Sequence, residues 1–250
     1  VEFDGTSVSI FVDDLRRFYS DFINGIDINY LPPIQYADYV EQQKNYMASN
    51  ITKDREFFKT LFTGIKKPTY LPNHSKRQVT ESYPSTRYTP KQIKHLWKNL
   101  KLVSKKNKTS PFSILCTTYA QVISEIVGDD KVVIGTVVVG RPSAEFDKTI
   151  GPFVQPFPMK VSTAGTLQEI VSNVHDLIME INDRSMYPVV DIIKHIPTFK
   201  GTEIDTYFTD SFIMLNNYPR ESNIHPKAEV LESLGPITKK GLPDLSHKTL

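Results

Sequence analysis

The chain has 250 residues, of which 39% are hydrophobic, 23% charged and 11% aromatic, a profile that excludes wholesale disorder and allows one large domain or two lobes. A formal net charge of +2 argues against nucleic acid as the main partner. No stretch approaches the ~18 apolar residues of a membrane span, and a single cysteine leaves no internal disulfide framework and fits a reducing, cytoplasmic setting.

The opening Val1-Glu2-Phe3 reads as a strand entered partway, and Asp4-Gly5 as a turn. Val8, Phe11, Val12, Leu15, Phe18, Tyr19 and Phe22 then fall on one helical face, with Thr6 or Ser7 as cap and Gly25 as stop. Burying such a face yields on the order of 10–20 kcal/mol gross. Ordering entropy cancels most of it, so this helix is expected to pack on something larger. Leu31-Pro32-Pro33 breaks the chain; a second helix is predicted from Tyr36 to about Met47, and a third from the cap Thr52 through Phe57, Phe58, Leu61 and Phe62 to Gly64.

The Pro-marked polar stretch 66–77 is the expected lobe boundary, and 78–88 reads as extended. Thr89-Pro90 announces a helix with Ile93, Leu96, Trp97 and Leu100 on its apolar face. Lys105-Lys106-Asn107-Lys108 reads as its solvated end. Ser110-Pro111 announces another helix, carrying Phe112, Leu115, Cys116, Tyr119, Val122, Ile123 and Ile126 up to Gly128. The β-branched run 131–140 predicts a strand buried on both faces. Residues 153–161 predict a second, whose Pro156 and Pro158 confine it to an edge or bulge. A helix through Leu167, Ile170, Val171, Val174, Leu177, Ile178 and Ile181, a short helix 189–196 and a strand 207–215 complete the pattern. Helix pairs followed by single strands do not make a doubly wound nucleotide fold, and neither a Gly-rich phosphate loop nor a Cys/His metal spacing is legible. His95, His175 and His195 have no Ser, Cys or Asp partner at a recognisable spacing, Cys116 reads as an inert buried thiol, and Tyr36, Tyr39 and Tyr46 read as packing.

Four stretches in series carry a resemblance. Asp4-Gly5 matches the end of a His-His-x-x-x-Asp-Gly signature, "PPIQYADYVEQQ" a Tyr-x-Asp-Tyr segment, "VVIGTVVVGRP" a strand ending in Gly-Arg, and "IGPFVQPFPMKV" an Ile-Gly-x-Phe-Val-Asn motif. Together they resemble the condensation domains of nonribosomal peptide synthetases from Val1 to about Leu215. Gln42 stands where a Trp is common, and Gln155 replaces the usual Asn. On this resemblance the two histidines fall immediately before Val1, and residues 1–250 alone are expected to be inactive.

The resemblance implies an α/β fold, an α+β two-layer sandwich of chloramphenicol-acetyltransferase type, with two lobes around a tunnel. Residues 1–65 would be the remainder of the first lobe and 75–250 an incomplete second. It implies amide-bond formation between a carrier-bound acyl or peptidyl thioester and a carrier-bound aminoacyl acceptor. It further implies that no cofactor is bound directly, that the phosphopantetheine arms of upstream and downstream carrier protein domains are substrates, and that adjacent synthetase modules are partners, with neither nucleic acid nor membrane among them. Asp4 and Gly5 would close the catalytic motif, with Arg141 as structural partner of Asp4. Ser7, Gly151, Phe153 and Gln155 would line the substrate tunnel. The departures at Gln42 and Gln155 leave open a non-catalytic domain that docks carriers or a tailoring enzyme, or a related heterocyclization or acyltransferase domain. The Asp-Phe-Gly-Trp-Gly of plant-type acyltransferases is missing.

Overall fold

In the computed structural model, which describes residues 3–27, 30–72, 87–88, 93–199 and 209–215, all lying in the unit Val1–Leu215, the first helix α1 runs Gly5–Ile23. Its cap is Asp4 rather than Thr6 or Ser7, because a carboxylate three positions before Ser7 accepts that residue's N–H at 2.7 Å. Among the described residues α1 buries only Ser7; Val8, Phe11, Leu15 and Phe22 stay exposed, Phe22 at 76%. The burial that its periodicity promised is therefore not realised within the described residues.

Helix α2, Tyr36–Leu61, is one helix where two were expected. The polar run around Thr52 looks like a cap in sequence, but it contains neither Gly nor Pro, and Asn50 Nδ2 donates back to the Tyr46 carbonyl at 3.1 Å, so the helix continues. The segments at 73–86 and 89–90, including the Thr89-Pro90 cap, lie outside the described residues. Helix α3, Ile93–Lys106, turns Trp97, Leu100 and Ser104 inward but leaves Leu96 67% exposed. Helix α4, Pro111–Val127, starts as predicted: the Ser110 side chain accepts from Ser113 N–H at 3.0 Å and Pro111 occupies the first turn. Cys116, Ala120 and Ile123 are buried, whereas Val122 and Ile126 face solvent.

Strands β1 (Lys131–Val139) and β2 (Val154–Ser162) form an antiparallel ladder from Lys131 opposite Ser162 to Val139 opposite Val154. Val132, Val133 and Ile134 are fully buried, so β1 is covered on both faces. Pro158 and Pro156 oppose Gly135 and Val137. Gly135 turns its amide away from β2, donating to Ser211 O at 2.8 Å and accepting from Ile213 N at 2.9 Å, so the neighbouring ladder tolerates an imino acid. The predicted strand 207–215 is, over its described part, a single bridge at Phe212; a Cβ on Gly135 would sit 2.2 Å from the Phe212 ring, which only glycine avoids. Helices α5 (Leu167–Asp183) and α6 (Val189–His195) pack on the ladder together with α4. Phe58 of α2 and Phe62, the residue that caps its end, join the same core, Phe58 stacked on Tyr187 at 5.4 Å and 12°. A second, smaller core of Tyr39, Phe146 and Phe153 sits beneath the Arg141 end of β1.

Candidate functional site

The site grows from the start of α1. Asp4 is extended at φ −100° and ψ 176°, and its Oδ1 accepts from both Ser7 N and Ser7 Oγ at 2.7 Å. A carboxylate there suits the positive end of the helix. Its side chain is only 3% exposed, however, and a buried charge requires an opposite one. Arg141, two residues beyond β1, supplies it: Nη2 lies 3.3 Å from Oδ1 and 3.4 Å from Oδ2. The contact is not the two-nitrogen fork of an ideal Arg–carboxylate pair, because Nη1 is occupied elsewhere, donating to Thr149 O at 2.8 Å and to Phe146 O. The guanidinium also lies over the Phe153 ring, with Cζ 4.1 Å from the centroid. Arg141 thus clamps the start of α1, the 146–149 turn and the small aromatic core to the end of β1.

Ser7 is fully buried, and its Oγ has four polar neighbours: Asp4 Oδ1 at 2.7 Å, Gly151 O at 2.9 Å, Gly151 N at 3.0 Å and Arg141 Nη2 at 3.3 Å. A hydroxyl has one proton to give. The charged and nearer Asp4 receives it, leaving the lone pairs to accept from Gly151 N–H and Arg141. Ser7 therefore fastens the 151 segment to α1. A Cβ on Gly151 would lie 2.2 Å from the Tyr36 ring, so this close approach needs glycine. Tyr36 meets Phe153 edge-on at 5.1 Å, and its Oη donates to Pro152 O at 3.3 Å. Burial, and then the Asp4 charge, push the Tyr36 phenol up; burial pushes Tyr39 up to about 12. Both stay neutral.

Of the four residues expected along a substrate wall, Ser7, Gly151 and Phe153 are buried with their partners satisfied inside the protein. Gln155 is half-buried, and both ends of its amide are engaged: Nε2 donates to Ser185 O at 2.5 Å and Oε1 accepts from Val189 N at 3.3 Å. A cavity of about 360 Å³ adjoins Arg141 at the end of β1, bounded by Tyr46, Pro142, Asp183, Ser185 and Met186.

Sequence reasoning missed two polar networks that hold α2 against α5 and α6. Asp54, 2% exposed, accepts from Tyr46 Oη at 2.5 Å and pairs with Arg184 Nε at 3.3 Å. Asp191 takes a two-nitrogen fork from Arg55 at 2.8 and 3.1 Å and a hydrogen bond from Tyr187 Oη. Burial disfavours the Asp191 charge, but Arg55 and Tyr187 outweigh it and hold the carboxyl below its ordinary range. No local spacing signals such contacts, which span more than a hundred positions in the Arg55–Asp191 case. His175 Nδ1 lies 3.1 Å from Ser113 Oγ, and His195 Nδ1 3.1 Å from Asp191 Oδ1, so both have partners that spacing did not reveal. Ser113 is fully buried at the first turn of α4, so this pair joins α4 to α5 rather than presenting a nucleophile. Burial pushes the Cys116 thiol up to about 12, which removes it as a nucleophile at neutral pH.

Known proteins resemble this chain in sequence and in fold. The relatives include tyrocidine synthase 2 of Brevibacillus parabrevis, 24% identical over 218 residues that cover 85% of this chain and 6% of that protein. Malpinin synthetase of Mortierella alpina is 25% identical over 219 residues, covering 86% of this chain and 3% of its own length. The chain therefore spans only a few per cent of these curated relatives. Among solved structures, the first condensation domain of the calcium-dependent antibiotic synthetase, in complex with substrate analogue 2a, superposes with a TM-score of 0.68 at 18% identity, covering 86% of this chain and 48% of that one. The X-domain from teicoplanin biosynthesis gives 0.65 at 18% identity, covering 84% and 49%. At these identities the structures speak to the fold, which is the chloramphenicol-acetyltransferase-like arrangement of condensation domains. The Condensation domain family matches residues 1–236, and the chain belongs to that family.

Proposed function

We propose that this domain catalyses amide-bond formation in nonribosomal peptide synthesis. The amine of a carrier-bound aminoacyl group attacks the thioester carbonyl of a carrier-bound acyl or peptidyl donor. The C–N bond forms, the C–S bond breaks, and the thiol of the donor's phosphopantetheine arm leaves with the proton that the amine gives up. An amine needs little activation against a thioester once the two are in contact, so positioning supplies much of the rate. The observation that carries this reading is the Asp4–Arg141 clamp, in which a buried carboxylate that caps α1 is held by the Arg of the Gly-Arg strand end. Asp4 and Arg141 are positioning residues: they fix the loop in which the resemblance places an imidazole suited to accept the amine proton. Ser7, Gly151 and Phe153 stand behind the substrate wall and set its shape, while the cavity beside Arg141 lies on the substrate path. The sequence of residues 1–250 contains no His-His pair, and alone it is expected to form no product.

On the same reading residues 1–65 complete one lobe and residues from 75 onward form the other, and the exposed face of α1 packs on the rest of the first lobe. Carrier protein domains and neighbouring synthetase modules are the partners, in a reducing, cytoplasmic setting that fits the one buried thiol. The test is an assay with purified donor- and acceptor-loaded carrier domains and the domain in its synthetase, with dipeptidyl product followed by mass spectrometry. Product above the carrier-only background supports the reading; none, with both carriers confirmed loaded, contradicts it.

One observation favours a second reading, a non-catalytic domain that docks a tailoring enzyme. The X-domain is among the similar structures, and so is a complex of the X-domain and OxyB from teicoplanin biosynthesis, with a TM-score of 0.59. The departures from the family pattern here are spent on structure: Gln155 ties β2 to the segment before α6, and Gln42 Nε2 donates to Glu145 Oε1 at 3.2 Å. Absence of product in the carrier assay, with retained binding of a tailoring enzyme, is the result this alternative expects.

A further inference from the structure

The cavity beside Arg141 belongs to the site described above. A second concavity, also of about 360 Å³, does not. It lies at the opposite end of β1, where Lys131 begins the strand, about 30 Å from Arg141 at the rise of an extended chain. Its walls are the strap that leaves α2 at Gly64, the last turn of α4 and the first residue of β1.

Three lysines, Lys66, Lys67 and Lys131, line it with one acidic residue, Asp129. Asp129 is already engaged, its Oδ1 accepting from Lys131 N–H at 2.9 Å, where it caps the entry to the strand. Among the described residues no carboxylate pairs with any of the three lysines, and the backbone N–H groups of Lys66 and Lys67 have no protein acceptor. A fourth lysine, Lys160, stands diagonally across the ladder from Lys131 on the same face. Burial, and then the Lys131 charge, hold its ammonium below the ordinary lysine range, and its Nζ lies 3.5 Å from Thr63 O. Crowded like charges raise the energy of the empty site, and an anion relieves it. The remaining lining mixes apolar Ile65, Pro68 and Val127 with Gly64, Thr69 and Tyr70. The volume lies at the lower end of the small-molecule range, about 300–1,000 Å³, and exceeds what a bare phosphate fills.

We propose that this concavity binds a phosphate ester, with the phosphate held by Lys66, Lys67, Lys131 and the free backbone N–H groups and the organic part against Ile65, Pro68 and Val127. The proposal uses no residue of the Asp4–Arg141 clamp, so it stands or falls separately from amide-bond formation.

The test is a ¹H–¹⁵N NMR titration of the full chain with phenyl phosphate, inorganic phosphate and sulfate at matched ionic strength. Saturable shifts at residues 64–70 and 129–131 are expected, with phenyl phosphate at least 5-fold tighter than inorganic phosphate and sulfate weaker than both. The double variant Lys66→Gln/Lys67→Gln, whose side chains are exposed and whose fold is checked by circular dichroism, is expected to weaken phenyl phosphate at least 10-fold. Lys131→Gln provides a second variant on another wall. Equal response to sulfate, shifts centred on the lysines of α3, binding unchanged in both variants, or no saturable shift at all would each overturn the assignment.

Discussion

Asp4 and Arg141, 137 positions apart in sequence, meet at 3.3 Å with side chains only 3% and 7% exposed. One carboxylate does two things there, capping α1 through Ser7 and neutralising the guanidinium that holds the 146–149 turn. Removing one partner leaves the other buried and uncompensated, typically a loss of about 3–5 kcal/mol. Arg141→Ala should therefore lower the unfolding free energy by an amount of that order in urea denaturation. Arg141→Lys should recover only part of it, since one ammonium cannot reach Asp4 and the carbonyls of Phe146 and Thr149 together.

Gly151 faces the Tyr36 ring at a distance no Cβ tolerates. Gly151→Ala should destabilise the chain by about 1–3 kcal/mol, the usual cost of overpacking. Combining it with Tyr36→Ala should cost less than the sum of the two single changes in a double-mutant cycle, because the second change removes the obstacle.

The acid side of the stability profile should report Asp191. Its folded pKa lies below the ordinary carboxylate value, so the stabilisation is fully present above the unfolded pKa, about 4, and is lost as pH falls through the folded value. Thermal melts below pH 4 should show this loss, and Asp191→Asn should be less stable at neutral pH but flatter through the acid range.

Cys116 should resist iodoacetamide in the native chain at pH 8 and react on unfolding. It is fully buried, and its thiol is pushed up to about 12. Rapid native alkylation would contradict the packing of α4.

The two faces of burial should separate cleanly. Phe58→Ala removes a fully buried ring stacked on Tyr187 and should cost about 3–5 kcal/mol. Phe22→Ser, at a ring 76% exposed, should change the stability of this chain by less than about 0.5 kcal/mol.

What could be read in sequence follows the range of the signal. The buried strand 131–139, the Ser110-Pro111 start of α4 and the helices on the ladder carry local periodicity and local caps, and all are present. The break expected before Thr52 did not form, because capping residues inside a helix can bond back to the preceding turn, as Asn50 does. Leu96, Val122 and Ile126 were expected in an apolar interior and lie at the surface, since periodicity gives a face but not what covers it. The Asp4–Arg141 contact was reached only through the resemblance. The Asp54–Arg184 and Asp191–Arg55 networks had no motif to announce them, because tertiary packing alone brings those charges together.

The most direct test of the central claim is a double-mutant cycle on Asp4→Ala and Arg141→Ala in the carrier-to-carrier assay, at a temperature where both variants remain folded. If the clamp positions the loop that serves the reacting amine, each single change should cut product formation at least 10-fold and the double change should cost about as much as either alone. Wild-type rates in either single variant, or losses that multiply independently in the double, would contradict it.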